Sequence, residues 1–499
     1  MGATTPLLIG EIFRRNAAAL PNEVAASMGS QQITHGALDQ AGNQIARALQ
    51  SLGIARSDRV VCWAETGLDV LPVFVGAAKL GAVFAPLSAR LGEDEARAAL
   101  RTARPALLLA DEGRGELASE LAQADGTRAL GLGRLRQGEP GTLFGLARAA
   151  HSTPFLAPDL GEADPHVIFF TSGSTGRPKG VVLSHRASYL RTFQGVFHDE
   201  PERSVCMFPL FHMAAFTLAL SAWQTRGEIA LVASASAEAI LEAAERRRAN
   251  RLYCIPAVWH RILEADTERF DTASLRELDT GTSATPIELI RALKARFPGT
   301  RTRIYYGSTE AGSATSLWDA DVLRKPGSVG PPAPGVDVKL TAVGEICVRS
   351  AYLMDGYFDD PEATAAALRD GWFHTGDVGV FDEAGYLSIE GRLKELIRSG
   401  GESIAPSEVE AVLRDHPAIA EVAVIGLPDP QWGEIVCAVV VPAAGASLAL
   451  GDLQKHCAER LAGFKKPRRL ELVGALPRTP ATGQVQRALL AVQLAKGGR

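Results

Sequence analysis

Between two short apolar runs, Val167 to Phe170 and Val181 to Leu183, the chain carries Thr171-Ser172-Gly173-Ser174-Thr175-Gly176-Arg177-Pro178-Lys179-Gly180. These are groups that bind a polyphosphate: glycines let the backbone close on phosphate oxygens, hydroxyls donate, and Arg177 and Lys179 bring charge. A flexible linker shares the small residues but gives no reason for cations at a fixed place between buried strands. A P-loop of the nucleoside-triphosphatase kind needs G-x-x-x-x-G-K-[ST] opening a helix. Here Gly180 follows Lys179 and a β-like run comes next, so that reading fails.

Other stretches carry chemistry of the same kind. Tyr305-Tyr306-Gly307-Ser308-Thr309-Glu310 puts flat rings, hydroxyls and a carboxylate close together, suited to adenine stacking, phosphate contact and an oxygen-ligated Mg2+; its plain alternative is a strand end and turn. Gly371-Trp372-Phe373-His374-Thr375-Gly376-Asp377 places a carboxylate after a glycine turn, otherwise a surface turn. Phe208 to Phe216 is apolar around one histidine, His212, which alone reads as a satisfied core residue. Gly391-Arg392-Leu393-Lys394-Glu395-Leu396-Ile397, alone, is an exposed amphipathic segment.

In their order along the chain the segments resemble the adenylate-forming superfamily of acyl-CoA synthetases, peptide-synthetase adenylation domains and luciferases, from about residue 8 to 492. The resemblance implies that Thr171, Ser172, Gly173, Ser174, Thr175, Gly176 and Lys179 wrap the phosphates of ATP. Gly281, Thr282 and Ser283 would wall the adenine, with Thr282 and Ser283 standing where Gly-Ala is commoner. In the tyrosine segment, Tyr305, Tyr306, Gly307 and Ser308 would lie on the nucleotide, Tyr306 on adenine, Thr309 on the α-phosphate and Glu310 on Mg2+. Asp377 would grip the ribose hydroxyls and Arg392 the ribose or phosphate. His212 would lie beside the substrate carboxylate, in an acyl pocket with Met213, Ala214, Ala215, Gly312 and Ser313. Lys394 would be the pivot of a rotating C-terminal domain. Gly400 and Gly401 would line the thiol tunnel, while Trp432, Phe464, Lys466 and Arg468 would hold CoA; a basic surface patch is the alternative for the last group. The sequence departs from the pattern at Gln484, which follows Gly483 where the family carries the lysine of the adenylation step.

The elements that must position these residues follow from periodicity. Leu38, Ala41, Ile45, Leu49 and Leu52 share one helical face. Strand Val60 to Trp63, helix Val70 to Leu80, strand Val83 to Pro86, helix 93–103 and strand Ala106 to Leu109 then alternate as in a parallel α/β sheet. Residues 111–163 show little periodicity and read as connection and peripheral structure. Short strands near 344–349 and 385–389 mark a β-rich subdomain. Beyond Gly391 follow a helix from Pro406 to Arg414, strands Val422 to Ile425 and Val436 to Val441, and a helix from Gly451 to Leu461.

The expected fold is therefore α/β: a large N-terminal domain of α/β sheets with a small β-rich subdomain, residues 1–392, and a compact mobile α+β C-terminal domain, residues 393–499. With 499 residues, 46% hydrophobic and 22% charged, the chain can bury more than one core. A net charge of −5 offers no field for nucleic acid. Six scattered cysteines without C-x-x-C spacing read as reduced core residues, which with the absence of a leader or spanning segment gives a cytoplasmic expectation. The expected activity joins a carboxylic acid to CoA through an acyl adenylate, using ATP and Mg2+. A medium- or long-chain fatty acid is favoured over an aromatic one because the pocket residues are small. Loading of a carrier protein, or silent nucleotide or acyl binding because of Gln484, are the alternatives, and a homodimer is left open.

Overall fold

Residues Val60, Val61, Phe84, Ala85, Leu107, Leu108 and Leu109 have no appreciable exposure, because their strands are covered on both faces. In the computed structural model, which describes residues 6–135, 137–172, 178–193, 200–399, 402–458, 460–478 and 484–496, these strands form the middle of one sheet. Its order is Gly356–Tyr357, Pro178–Ser184, Pro165–Ser172, Val83–Leu87, Arg59–Trp63, Leu107–Ala110 and Arg128–Gly131. Helices His35–Ser51 and Val70–Leu80 cross at two glycines. A Cβ on Gly42 would sit 2.4 Å from Val75, and one on Gly76 would sit 2.5 Å from Ile45. Only bare backbone permits that approach.

A second sheet runs in the order Gly312–Leu317, Arg301–Ser308, Glu277–Gly281, Arg251–Tyr253, Arg203–Cys206, Glu228–Leu231, Val24–Met28 and Gln31–Thr34. Buried among its strands is a charge frame. Asp279 receives Arg251 at 2.5 Å and Arg303 at 2.9 Å, and Arg251 also reaches Glu202 at 3.0 Å. Burial opposes the charge on Asp279, but the two guanidinium groups outweigh it and hold the carboxyl below its usual range.

The chain divides into two compact units, and these two sheets lie in the first, which holds residues 1–326, 333–337 and 349–373. The second holds residues 327–332, 338–348 and 374–499. Its C-terminal part is a sheet ordered Glu402–Ile404, Ile397–Ser399, Gly433–Pro442 and Ile419–Asp429, with Arg469–Leu472 parallel to Gly433–Pro442. Ile397, Ile404, Val409, Leu413, Val424, Val436 and Leu453 close its core.

Two expectations are corrected. Residues 111–163 hold helices Gly115–Ala124 and Leu143–Ala149 and the edge strand Arg128–Gly131. Their buried faces are short, only Ala118, Leu121 and Ala122 in the first helix, so no long period shows. Asp377, expected after a glycine turn, lies inside strand Trp372–Phe381. The helix expected over 451–461 is Leu450–His456.

Candidate active site

The proposed phosphate loop connects the antiparallel strands Pro165–Ser172 and Pro178–Ser184, with Thr171 opposite Lys179 and Phe170 opposite Gly180. Residues 173–177, including Gly173, Ser174, Thr175 and Gly176, lie outside the described residues, as does the side chain of Ser172. The Lys179 ammonium rests over the Tyr357 ring, 4.6 Å from its centroid.

Thr309, Glu310 and Ala311 form the tip of the hairpin between Arg301–Ser308 and Gly312–Leu317, where Ser308 pairs with Gly312. The Ser308 hydroxyl accepts the Ala311 N–H at 3.1 Å, and Gly312 takes a φ of +70° that favours glycine. Glu310 is fixed from one side: the Tyr357 hydroxyl donates to its Oε1 at 3.0 Å, and its carbonyl accepts the Met354 N–H at 2.8 Å. Arg191 donates to the carbonyls of Thr309 at 3.0 Å and Tyr352 at 2.6 Å. Burial lowers the Arg191 pKa to about 10, which leaves it a cation at neutral pH. Neither Tyr357 nor Arg191 stood out in the sequence, since a tyrosine after a glycine and an arginine at a helix end are indistinguishable from ordinary packing residues.

Alternation along the strand separates the two tyrosines. Tyr305 stacks on Tyr253, with centroids 6.2 Å apart, and Tyr306 is the next residue along the strand. Gly281 lies opposite Tyr305, and a Cβ on it would come within 2.4 Å of the Tyr305 carbonyl oxygen. Thr282 has a φ of +67°, a strained conformation for a β-branched residue; exposed Ser283 follows it.

His212 caps helix Met213–Gln224, its Nδ1 accepting the Ala214 N–H at 3.1 Å. Burial lowers its pKa to about 4, so at neutral pH it is uncharged with its proton on Nε2, available as a donor. Its ring stacks on Phe208 at 5.5 Å, and Phe208 meets Tyr253 at 5.6 Å, so packed rings link His212 to Tyr305. Met213 and Ala214 are partly exposed and Ala215 is buried. Gly312 is small for a packing reason: a Cβ there would sit 3.1 Å from the Tyr352 ring, whose hydroxyl donates to the Ser313 carbonyl at 3.0 Å.

In the second unit, Asp377 and Arg392 are register partners and form an ion pair at 2.7 Å, the carboxylate nearly buried and the arginine exposed. Lys394 is exposed in the turn that follows, where the Glu395 N–H bonds the Arg392 carbonyl at 2.9 Å. Gln484 is exposed. Of the cations near it in sequence, Arg487 bridges Glu410 at 2.7 Å and Glu395 at 3.1 Å, and Arg478 pairs with Glu421. Arg468 stacks over Trp432 at 4.1 Å, Phe464 packs on the C-terminal core, and Lys466 is partly buried beside it. Gly400 and Gly401 lie outside the described residues.

The residues present fit Mg2+ at Glu310, a hard oxygen donor whose Oε2 has no hydrogen-bond partner among the described residues. Glu345, Cys347 and His374 also converge, with donor atoms within 4.8 Å. There His374 Nδ1 lies 2.9 Å from Glu345, and the Cys347 sulfur lies 3.4 and 3.9 Å from the two ring nitrogens. In this arrangement the three groups contact one another.

The family model of the AMP-binding enzymes matches residues 13–358, and that of their C-terminal domain matches 408–482. The chain belongs to the AMP-binding enzymes. Within this family it is similar to an indoleacetate–CoA ligase of Aromatoleum aromaticum, 34% identical over 96% of both chains. It is also similar to a long-chain-fatty-acid–CoA ligase of Mycobacterium tuberculosis, 32% identical over 97% of this chain and 98% of the relative. The structure of ATP-bound MatB from Rhodopseudomonas palustris superposes with a TM-score of 0.88 over 98% of this chain and all of that one, at 28% identity. As an AMP-binding enzyme of the adenylate-forming superfamily, the chain is an acyl- or aryl-CoA ligase that uses ATP and CoA. No helix among the described residues is long and apolar enough to cross a membrane.

Proposed function

We propose that the enzyme activates a ring-bearing, aromatic carboxylic acid: acid and ATP give an acyl adenylate and pyrophosphate, and the CoA thiol then displaces AMP. In this reading Lys179 and the loop around it hold the departing pyrophosphate, and Thr309 holds the α-phosphate. Tyr306 and Gly281 flank the adenine, and Asp377 and Arg392 take the ribose. His212 Nε2–H donates to the acid carboxylate without adding a charge that would quench its nucleophilicity. Glu310 holds Mg2+, which when bound neutralises phosphate oxygens. Rate enhancement comes from positioning and preorganised charge; no side chain acts as nucleophile. Residues 393–499 turn about Lys394 between the two half-reactions, and the Trp432–Arg468 stack receives the CoA nucleotide.

The observation that carries the choice of acid is the set of packed rings from His212 through Phe208 and Tyr253, together with the Tyr352 ring closing the Gly312 face. The smallness of Gly312 serves that packing, not pocket depth. A medium- or long-chain fatty acid is the second reading, favoured by the partly exposed Ala214 and by the fatty-acid relative. A turnover panel decides: CoA-dependent AMP release with benzoate, cinnamate and indoleacetate should exceed that with octanoate and palmitate by at least about ten-fold in kcat/KM, the usual reach of apolar pocket discrimination. The opposite order would overturn the aromatic reading. AMP release with a phosphopantetheinylated carrier protein but not with CoA would overturn the choice of thiol.

A further inference from the structure

Segment Tyr352 to Phe358 is fastened on two sides. Towards the phosphate loop, Asp355 and Phe358 donate their N–H groups to the carbonyls of Val182 at 3.0 Å and Gly180 at 2.8 Å, and Gly356 and Tyr357 pair with Val182 and Val181. Towards the Thr309–Glu310 tip, Met354 bonds Glu310, and Arg191 joins the Tyr352 and Thr309 carbonyls. Tyr357 is the side chain of this strap that touches both functional groups. Its hydroxyl donates to Glu310 Oε1 at 3.0 Å, and its ring carries the Lys179 ammonium at 4.6 Å.

We propose that Tyr357 is a positioning residue that couples the phosphate-loop lysine to the metal carboxylate, setting Glu310 for Mg2+ and Lys179 for the phosphates. The proposal rests on the reading of Glu310 as the Mg2+ ligand. The hydroxyl occupies one carboxylate oxygen and leaves Oε2 for the ion, the arrangement by which hydrogen-bonding partners of a ligating carboxylate tune metal affinity. The ring face holds a cation that would otherwise swing freely on a four-carbon stem. A tyrosine that only filled space would affect both functions equally, through stability.

Calorimetry with α,β-methylene-ATP, which cannot be cleaved at the reacting bond, separates these cases. Tyr357→Phe keeps the ring and loses the donor, so the Mg2+ concentration for half-saturation in the presence of the analogue should rise about ten-fold. Analogue affinity in EDTA should stay within about two-fold, since the ring still holds Lys179. Tyr357→Leu should weaken the analogue in EDTA as well. In a Glu310→Gln background, Tyr357→Phe should add nothing, because the two act on one interaction. If Glu310→Gln shifts the Mg2+ requirement and Tyr357→Phe does not, or if the two effects add, the coupling role is overturned. If Glu310→Gln leaves the Mg2+ requirement unmoved, the metal assignment itself fails and the proposal falls with it.

Discussion

Gln484 is a neutral amide at the position where the resemblance implies a lysine, and its sequence neighbours do not offer a spare cation: Arg487 is held by Glu410 and Glu395, and Arg478 by Glu421. In the reading above, negative charge gathers on the acid oxygen and α-phosphate as the adenylate forms. An amide can donate there but brings no net charge. By analogy with the loss of one preorganised donor, Gln484→Lys should speed pyrophosphate release on the order of 10²–10³-fold. Turnover of supplied acyl adenylate with CoA should hardly change. Equal pyrophosphate rates before and after the substitution would show that another cation already serves this step.

At the scale of the element, the turn after strand Leu387–Arg392 matters most. Lys394 is the second residue after the strand, ahead of the Glu395 N–H that closes on the Arg392 carbonyl. Proline fixes φ, so Lys394→Pro should keep pyrophosphate release within a few-fold of the parent while thioester formation falls by more than about ten-fold. A simultaneous loss of both half-reactions would place the pivot elsewhere, provided thermal melting shows the second unit still folded.

The same scale shows what the sequence could reveal. Helix Val70–Leu80 and strand Arg59–Trp63 were legible because apolar residues repeat over a whole element with turn residues at each end. The strands on either side of residues 173–177 were legible because each is a short apolar run bounded by glycine or polar residues. The strand that carries Asp377 was not legible, because Gly371 and Gly376 punctuate a segment that tertiary pairing nonetheless holds as a strand. Tyr357 escaped because its meaning comes from Glu310, 47 residues away in the chain, and from a strap fastened only by the fold.

For the molecule as a whole, pH should act through buried histidines. His166 and His185 stack with centroids 4.9 Å apart in the first unit; burial lowers His185 to about 4, as it does His212, and holds His166 well below the ordinary value. A depressed folded-state pKa leaves stability complete above the unfolded value of about 6.5 and removes it as pH falls towards 4, because the unfolded chain takes up protons first. For His185 or His212 the loss is on the order of 3 kcal/mol. The urea midpoint should therefore fall steeply between pH 6.5 and 4. His185→Asn, which keeps an acceptor for the Ile9 N–H, should flatten that fall by about one proton. An unchanged slope would mean that His185 is already protonated in the folded protein.

The six cysteines have one more consequence. All are buried, Cys62, Cys206 and Cys254 in the first unit and Cys347, Cys437 and Cys457 in the second, and burial raises the thiols of Cys62, Cys206 and Cys437 to about 12. A thiol that is both covered and protonated does not react with a maleimide, so each sulfur is silent until its own surroundings open. Timed alkylation followed by peptide mass mapping thus turns the chain into a built-in recorder of local opening, with three reporters on either unit and no label to introduce.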